Sequence, residues 1–218
     1  MIVRGALTTL LLVICGTTGA TNAPAATSAT QEPGSLAEIT ASDNALLHAQ
    51  PVVYELHEVR QPRCDAIDVR EGELAETIVD VRSHAPFPDV DKQLRYFGRP
   101  EFTIVRIHMR LPSRILWPAM SDADRAAAAV TLAALRHHEA GHVRIATDEV
   151  ARLNAAPFTV TPDPEAYRVT VVRRANAGVE RIARLQEAYD TLTDHGRRQD
   201  RASGEFRGPR TELACPRR

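Results

Sequence analysis

From Asp122 to about Asn154 the chain holds no proline and a single glycine, Gly141, and this stretch opens on a run of alanines. Helix propensity is high throughout, and Ser121 with Asp124 three positions on supplies a capping box at the start. A long helix follows, and the fold has to be built around it. On a wheel of about 100° per residue, Leu132, Leu135, His138, Glu139, His142, Val143, Ile145, Ala146, Glu149, Val150 and Leu153 share one broad face. Arg136, His137, Arg144, Asp148 and Arg152 lie on the other, which makes His137 a surface residue. The inward face carries a polar island of His138, Glu139, His142 and Glu149 among apolar neighbours. Buried polar groups cost free energy unless they are partnered.

His138, Glu139 and His142 form the pattern His-Glu-x-x-His. Residues four apart stack one turn above each other, so both imidazoles can offer a nitrogen to one Zn2+ at roughly 2.0 to 2.1 Å, leaving positions for a third protein ligand and a water. Glu139 follows the first ligand and reaches the water side, where a carboxylate serves as general base. Gly141 lets another segment approach the helix closely. The opposing reading is of two core histidines satisfied by local hydrogen bonds.

Three stretches read as strands. PVVYELHEVR (51–60) and AETIVDVRSH (75–84) are rich in β-branched residues, and TIVRIHMRLP (103–112) alternates. In the last, Val105, Ile107, Met109 and Leu111 point to the core while Arg106, His108 and Arg110 point to water, and Pro112 and Pro118 end it. Lying just before the helix, it is a candidate edge strand along which a substrate backbone could pair. TVTPDP (159–164) breaks the chain, and a second helix runs from near Glu165, with a kink at Gly178, to His195-Gly196. The fold class is α+β: a small antiparallel sheet packed on a long active-site helix and a second long C-terminal helix.

The N-terminus, MIVRGALTTLLLVICGTTGA, has a basic residue, a short apolar run and small residues ending at Ala20, the layout of a secretory signal peptide. The apolar run is too short for a transmembrane anchor in the mature chain. Leu12, Val13 and Ile14 precede Cys15 as in a lipid-attachment box, but Ile14 stands where a small residue is usual, which disfavours lipidation without closing it. Residues 21–40 are small, polar and proline-bearing and read as a disordered linker, 41–200 as the folded domain, and 201–218 as an irregular tail. Removal of the leader leaves Cys64 and Cys215, and two cysteines in an exported chain pair more often than not; such a disulfide contributes about 2 to 4 kcal/mol. Acidic and basic residues nearly cancel, with a net charge of −1, and are interspersed. That argues against nucleic-acid binding and against docking on an anionic membrane.

The order RLP, then Trp117, then LRHHEAGHVRIA, then YDTLTDHGRRQD resembles the bacterial domain of unknown function 922 family, described as predicted secreted zinc-dependent proteases. The similarity runs from roughly Val52 to Gln199, and its specific parts are His138-Glu139-x-x-His142-Val143 and Tyr189-Asp190-x-x-Thr193-x-His195-Gly196. The resemblance implies a zincin-like fold in a periplasmic or secreted protein. The chain departs from the family pattern where a tryptophan is expected inside the helix ahead of the motif; here the alanine run stands there and Trp117 lies earlier.

The third metal ligand is the hardest residue to read. Glu149 lies seven residues past His142 on the same helix, roughly 10 Å along its axis, and cannot reach the same ion. The second helix offers Glu180, Asp190 and His195 beside an apolar stripe of Ile182, Leu185, Tyr189 and Leu192. Glu180 points away from that stripe and Asp190 lies at its margin, while His195 stands at the helix end before Gly196, where the chain can turn inward. The resemblance favours the same segment. His195 is the expected third ligand, with Asp190 as rival or as the group orienting a ligand imidazole, and Tyr189 as an oxyanion donor. A tight hairpin would set the motif opposite residues 176–180, so the linker from Ala155 to Pro164 must run back along the first helix. Two functions compete: a zinc metallopeptidase acting on peptide or protein substrates, and a zinc-binding but inactive envelope module with a structural or partner-binding role. A metal-free helical hairpin domain is the third reading.

Overall fold

The computed structural model describes residues 36–64, 67, 74–213 and 215. The expected leader, Cys15 and the linker up to residue 35 lie outside the described residues. The described elements begin with helix α1 (Leu36–His48) and strands β1 (Val52–Arg60), β2 (Glu76–His84), β3 (Asp89–Val90), β4 (Tyr96–Gly98) and β5 (Glu101–Leu116). Helix α2 (Asp122–Asn154), strand β6 (Thr159–Thr161) and helix α3 (Pro164–Thr193) follow. Single 3-10 turns at Gln199–Arg201 and Gly204–Phe206 come last. The end of the expected linker, residues 36–40, is helical. The small polar composition that marks a linker stops before them, since 36–40 read LAEIT, and the helix is held through later positions, with Leu47 and Asp43 buried and the element packed on α2.

Helix α2 starts as its sequence dictates. The Ser121 hydroxyl accepts from the Asp124 amide at 3.1 Å and the Asp124 carboxylate accepts from the Ser121 amide at 2.8 Å, so two otherwise idle donors are satisfied. Helix α3 begins at Pro164 after Asp163, whose carboxylate caps the Glu165 amide at 2.9 Å.

The main sheet has the order β1-β5-β2, with β1 parallel and β2 antiparallel to β5. It is mixed rather than antiparallel. β5 is its central strand, so it cannot be the edge beside which a substrate pairs. Two bulges explain where the alternation reading of β5 failed. The register with β2 jumps from Asp80↔Arg106 to Val81↔Ile104, leaving Val105 as the extra residue; it is 39% exposed, while Ile107 and Met109 are fully buried and Leu111 nearly so. The register with β1 jumps at Ser113, from His57↔Pro112 to Glu58↔Arg114, and Pro112 sits beside that irregularity without ending the strand. β3, β4 and β6 form a second small antiparallel sheet.

Ile107, Met109, Leu111 and Ile115 of β5 pack with Ala128, Leu135, Ala140 and Val143 of α2, and Leu47 and Trp117 complete the core. α3 runs antiparallel to α2. Arg181 meets Glu149, and a Cβ on Gly178 would lie 2.5 Å from the Phe102 ring and 3.2 Å from Leu153. Gly178 therefore marks a close approach inside one continuous helix, not a kink. The linker does not run back along α2. Thr159 of β6 is bonded to Arg174 at 2.9 Å, so residues 155–163 carry the chain on past the end of α2 beside the first turns of α3. That overshoot sets Gln186, rather than residues 176–180, opposite His142.

His137–Arg144 is buried without a break, which corrects the outward placement of His137 and Arg144. His137 Nδ1 lies 2.9 Å from Asp43 Oδ2 and its Nε2 lies 3.3 Å from the Phe206 carbonyl. Arg144 donates to the Glu205 carbonyl at 3.2 Å and pairs with its carboxylate at 3.2 Å. A helical wheel registers only the period of its own helix, whereas this face is covered by α1 and by the C-terminal tail. Cys64 and Cys215 are joined across 151 positions, as expected. Among the described residues no helix is long and apolar enough to cross a membrane.

The bulge at Val105 makes a direct prediction for unfolding in urea. Ile107→Ala removes a buried side chain and should cost about 2 to 5 kcal/mol, while Val105→Ala should stay within about 0.5 kcal/mol. Equal losses would contradict this strand register.

Candidate metal centre

The middle of α2 places His138, Glu139 and His142 in the interior, with His138 and Glu139 fully buried and His142 4% exposed. α3 faces them with the line Gly178, Ile182, Gln186, Tyr189 and Thr193, and Asp190 follows Gln186 by one helical turn. Its Oδ1 lies 2.9 Å from His142 Nε2 and 3.4 Å from His138 Nε2. The ligand-type atoms of His138, His142 and Asp190 all fall within 4.8 Å of one another.

His195, the favoured third ligand, is not in that group. It is exposed, and the physical reason lies in the backbone. Asp194, His195 and Gly196 take φ values of 51°, 52° and 84°, so the chain does turn inward after α3 but presents Gly196 to the site and sends the His195 ring outward. A Cβ on Gly196 would lie 3.2 Å from His138 Cγ and 2.8 Å from Thr211. The buried stripe of α3 is also rotated from the expected one, since Leu192 is 53% exposed and Thr193 fully buried. That rotation carries Asp190 from the margin into the group. Glu149 stays apart, bound to Arg152 and, at 2.7 Å, to Arg181; the Arg152 hydrogen bond, above all, holds its carboxyl below the ordinary range.

The histidine tautomers can be worked out from the hydrogen-bond network. His142 Nδ1 contacts Gln186 Oε1, and Gln186 Nε2 donates to the His142 carbonyl at 2.9 Å. His138 Nδ1 lies 3.1 Å from Gln199 Oε1, and Gln199 Nε2 donates to the Tyr189 hydroxyl at 2.7 Å and to the Phe206 carbonyl. Each amide nitrogen is thus committed as a donor, so each amide oxygen faces its imidazole as an acceptor. Both Nδ1 atoms must then carry hydrogen, which turns both Nε2 atoms toward Asp190, to meet it through a proton when the imidazole is charged and through a lone pair when a metal ion takes that proton's place. This is the arrangement of imidazoles that bind a metal through one nitrogen while the other donates to a neighbour.

The charges fit a cation. Burial alone would raise the Asp190 carboxyl, but its hydrogen bonds to His138 and His142 outweigh burial and hold it well below the usual carboxylate range. Burial pulls the His142 imidazole down, and the Asp190 hydrogen bond with the Glu139 charge reverses this, leaving a net upward shift. Two imidazole nitrogens and one carboxylate oxygen, aimed inward from the two long helices, suit Zn2+ by donor type and number once the metal displaces the proton.

Tyr189, expected as an oxyanion donor, serves the scaffold instead. Its ring stacks on His138 at 5.0 Å and its hydroxyl donates to the His138 carbonyl at 3.3 Å. Burial holds the phenol far above its ordinary pKa, so its one proton stays on that bond. The hydroxyl would fall 2.2 Å from a Cβ on Gly141, which accounts for the glycine there. Sequence reasoning missed Gln186 and Gln199. Neutral amides belong to no metal motif, and the one available signal was that Gln186 precedes Asp190 by four positions.

The fold and site define an α+β chain in which a His-Glu-x-x-His helix and an antiparallel partner helix assemble a group fit for a metal. Residues 102–196 match the family described as bacterial protein of unknown function (DUF922), the family that the sequence resembles. The matched segment contains His138, Glu139, His142 and Asp190. No curated protein and no solved structure matches the chain.

Alanine at His138, His142 or Asp190 should each strip zinc from the purified protein, as read by plasma emission after desalting, while His195→Ala should retain the wild-type content. Loss of zinc on His195→Ala with retention on Asp190→Ala would reverse this assignment.

Proposed function

We propose that the protein is an exported, zincin-like zinc metallopeptidase in which His138, His142 and Asp190 hold Zn2+ and Glu139 is the general base. The observation that carries this reading is the convergence of two Nε2 atoms and a carboxylate oxygen within 4.8 Å, one residue from a fully buried glutamate. A bound zinc ion supplies Lewis acidity toward a peptide carbonyl and acidifies water. Glu139 takes the water proton at its carboxylate and passes it to the departing amine. Gln186 and Gln199 keep the imidazoles in one tautomer throughout. The substrate class is peptide or protein. With β5 central, the edge available for an extended substrate is β2, the outer strand that touches both α2 and α3. The Cys64–Cys215 disulfide supports a periplasmic or secreted location, since such bonds persist in oxidising compartments.

The burial of the group favours a second reading, a zinc-binding but inactive module of the envelope. His138 and His142 side chains are 1% and 5% exposed and Asp190 is 19% exposed, so a substrate has to gain access through the Asp190 side or by a shift of β2 or α3.

Glu139→Gln separates the two. Under the peptidase reading it keeps full zinc content and loses about 100-fold or more in cleavage of a denatured protein substrate. Wild-type protein that carries zinc and is as inert as the variant would establish the second reading.

A further inference from the structure

The segment after Gly196 lies beyond the matched residues 102–196, yet it enters the metal group through one side chain. Gln199 is fully buried, and its Oε1 is the acceptor for His138 Nδ1. Two 3-10 turns are the regular structure among the described residues of the tail, so its position depends on where it is fastened. The Thr131 hydroxyl of α2 donates to the Glu212 carbonyl at 3.1 Å, the Thr211 amide donates to the Gly196 carbonyl at 3.2 Å, and Cys215 is bonded to Cys64 in the core. Gly208 lies so close to His137 that a Cβ there would fall 2.2 Å from its ring, and the Gly208 amide donates to the Gln199 carbonyl at 3.3 Å.

We infer that Gln199 is a positioning residue for the metal ligand His138, and that the Cys64–Cys215 disulfide is the fastening that keeps Gln199 in place, so that the two act as one device setting metal affinity. The inference rests on the metal-site reading above. Without the Gln199 oxygen, His138 loses the acceptor that keeps hydrogen on Nδ1 and the lone pair on Nε2, and the ring is free to adopt the tautomer that cannot bind. Without the disulfide, the tail gains conformational freedom and Gln199 spends less time at the imidazole. Gln186 holds His142 from within α3 itself, so the device acts on one of the two imidazoles.

The test is the zinc dissociation constant of the full chain, measured by competition with a chromogenic chelator. Gln199→Leu should weaken zinc by about 10- to 100-fold, and Gln199→Glu, which keeps an acceptor oxygen, should restore most of that loss. The double change Cys64→Ser with Cys215→Ser should weaken zinc in the wild-type background and add little in the Gln199→Leu background, because both act through the same contact. Near-ultraviolet circular dichroism of the metal-free variants checks that each is folded. Should the serine pair not fold, Thr131→Val loosens the tail at Glu212 and carries the same expectation. Zinc affinity unchanged in Gln199→Leu, or losses that multiply independently, would overturn the device while leaving the metal site standing. Wild-type protein with no affinity for zinc would overturn both.

Discussion

Two amide groups decide which nitrogen of each buried imidazole carries its proton. Gln186 and Gln199 could each be turned either way if their amides stood alone, but their nitrogens are committed to the His142 carbonyl and to the Tyr189 hydroxyl with the Phe206 carbonyl. With the oxygens facing Nδ1, both histidines present Nε2 to Asp190, and a pair of polar side chains that would otherwise burden the core becomes a preorganised donor set. Much of the structure serves to hold those two amides. α3 must be in register to bring Gln186 to His142, and the tail must return across α2 to bring Gln199 to His138.

The register has its own causes. Glycines at 141 and 178 let Tyr189 and Phe102 press against helix backbone, and Arg181 closes on Glu149 between them. The connection 155–163 overshoots α2 and lies against the start of α3, which fixes how far along α2 the returning helix reads. On the other side of α2 the mixed sheet supplies Ile107, Met109 and Leu111, while α1 and the tail enclose His137 and Arg144. Helix α2 is thus covered by sheet, helices and tail around its middle turns, and its charged and polar residues there are satisfied by partners distant in sequence.

What the sequence made legible was local. The capping box at Ser121, the length of α2, the positions of β1 and β2, the inward face of His138 and His142 and the cysteine pairing follow from propensity, period or counting, and each is present. The failures share one cause, which is contact between distant segments. Bulges opposite Asp80 and His57 reversed Val105 and carried β5 through Pro112, and neither leaves a mark on one strand's alternation. Covering by α1 and the tail turned His137 inward. At the third corner of the metal group, the apolar character of Leu192 drew the expected stripe to the wrong side of α3. The glycine after His195 turns the backbone inward, and the His195 ring points away from the site.

X-ray absorption at the zinc edge of protein purified without chelators tests the assignment of His138, His142 and Asp190 most directly. The proposed site predicts two imidazole nitrogens at about 2.0 to 2.1 Å together with a carboxylate oxygen at about 2.0 to 2.2 Å. A spectrum showing three imidazoles, a sulfur neighbour, or no zinc in the wild-type chain would contradict it.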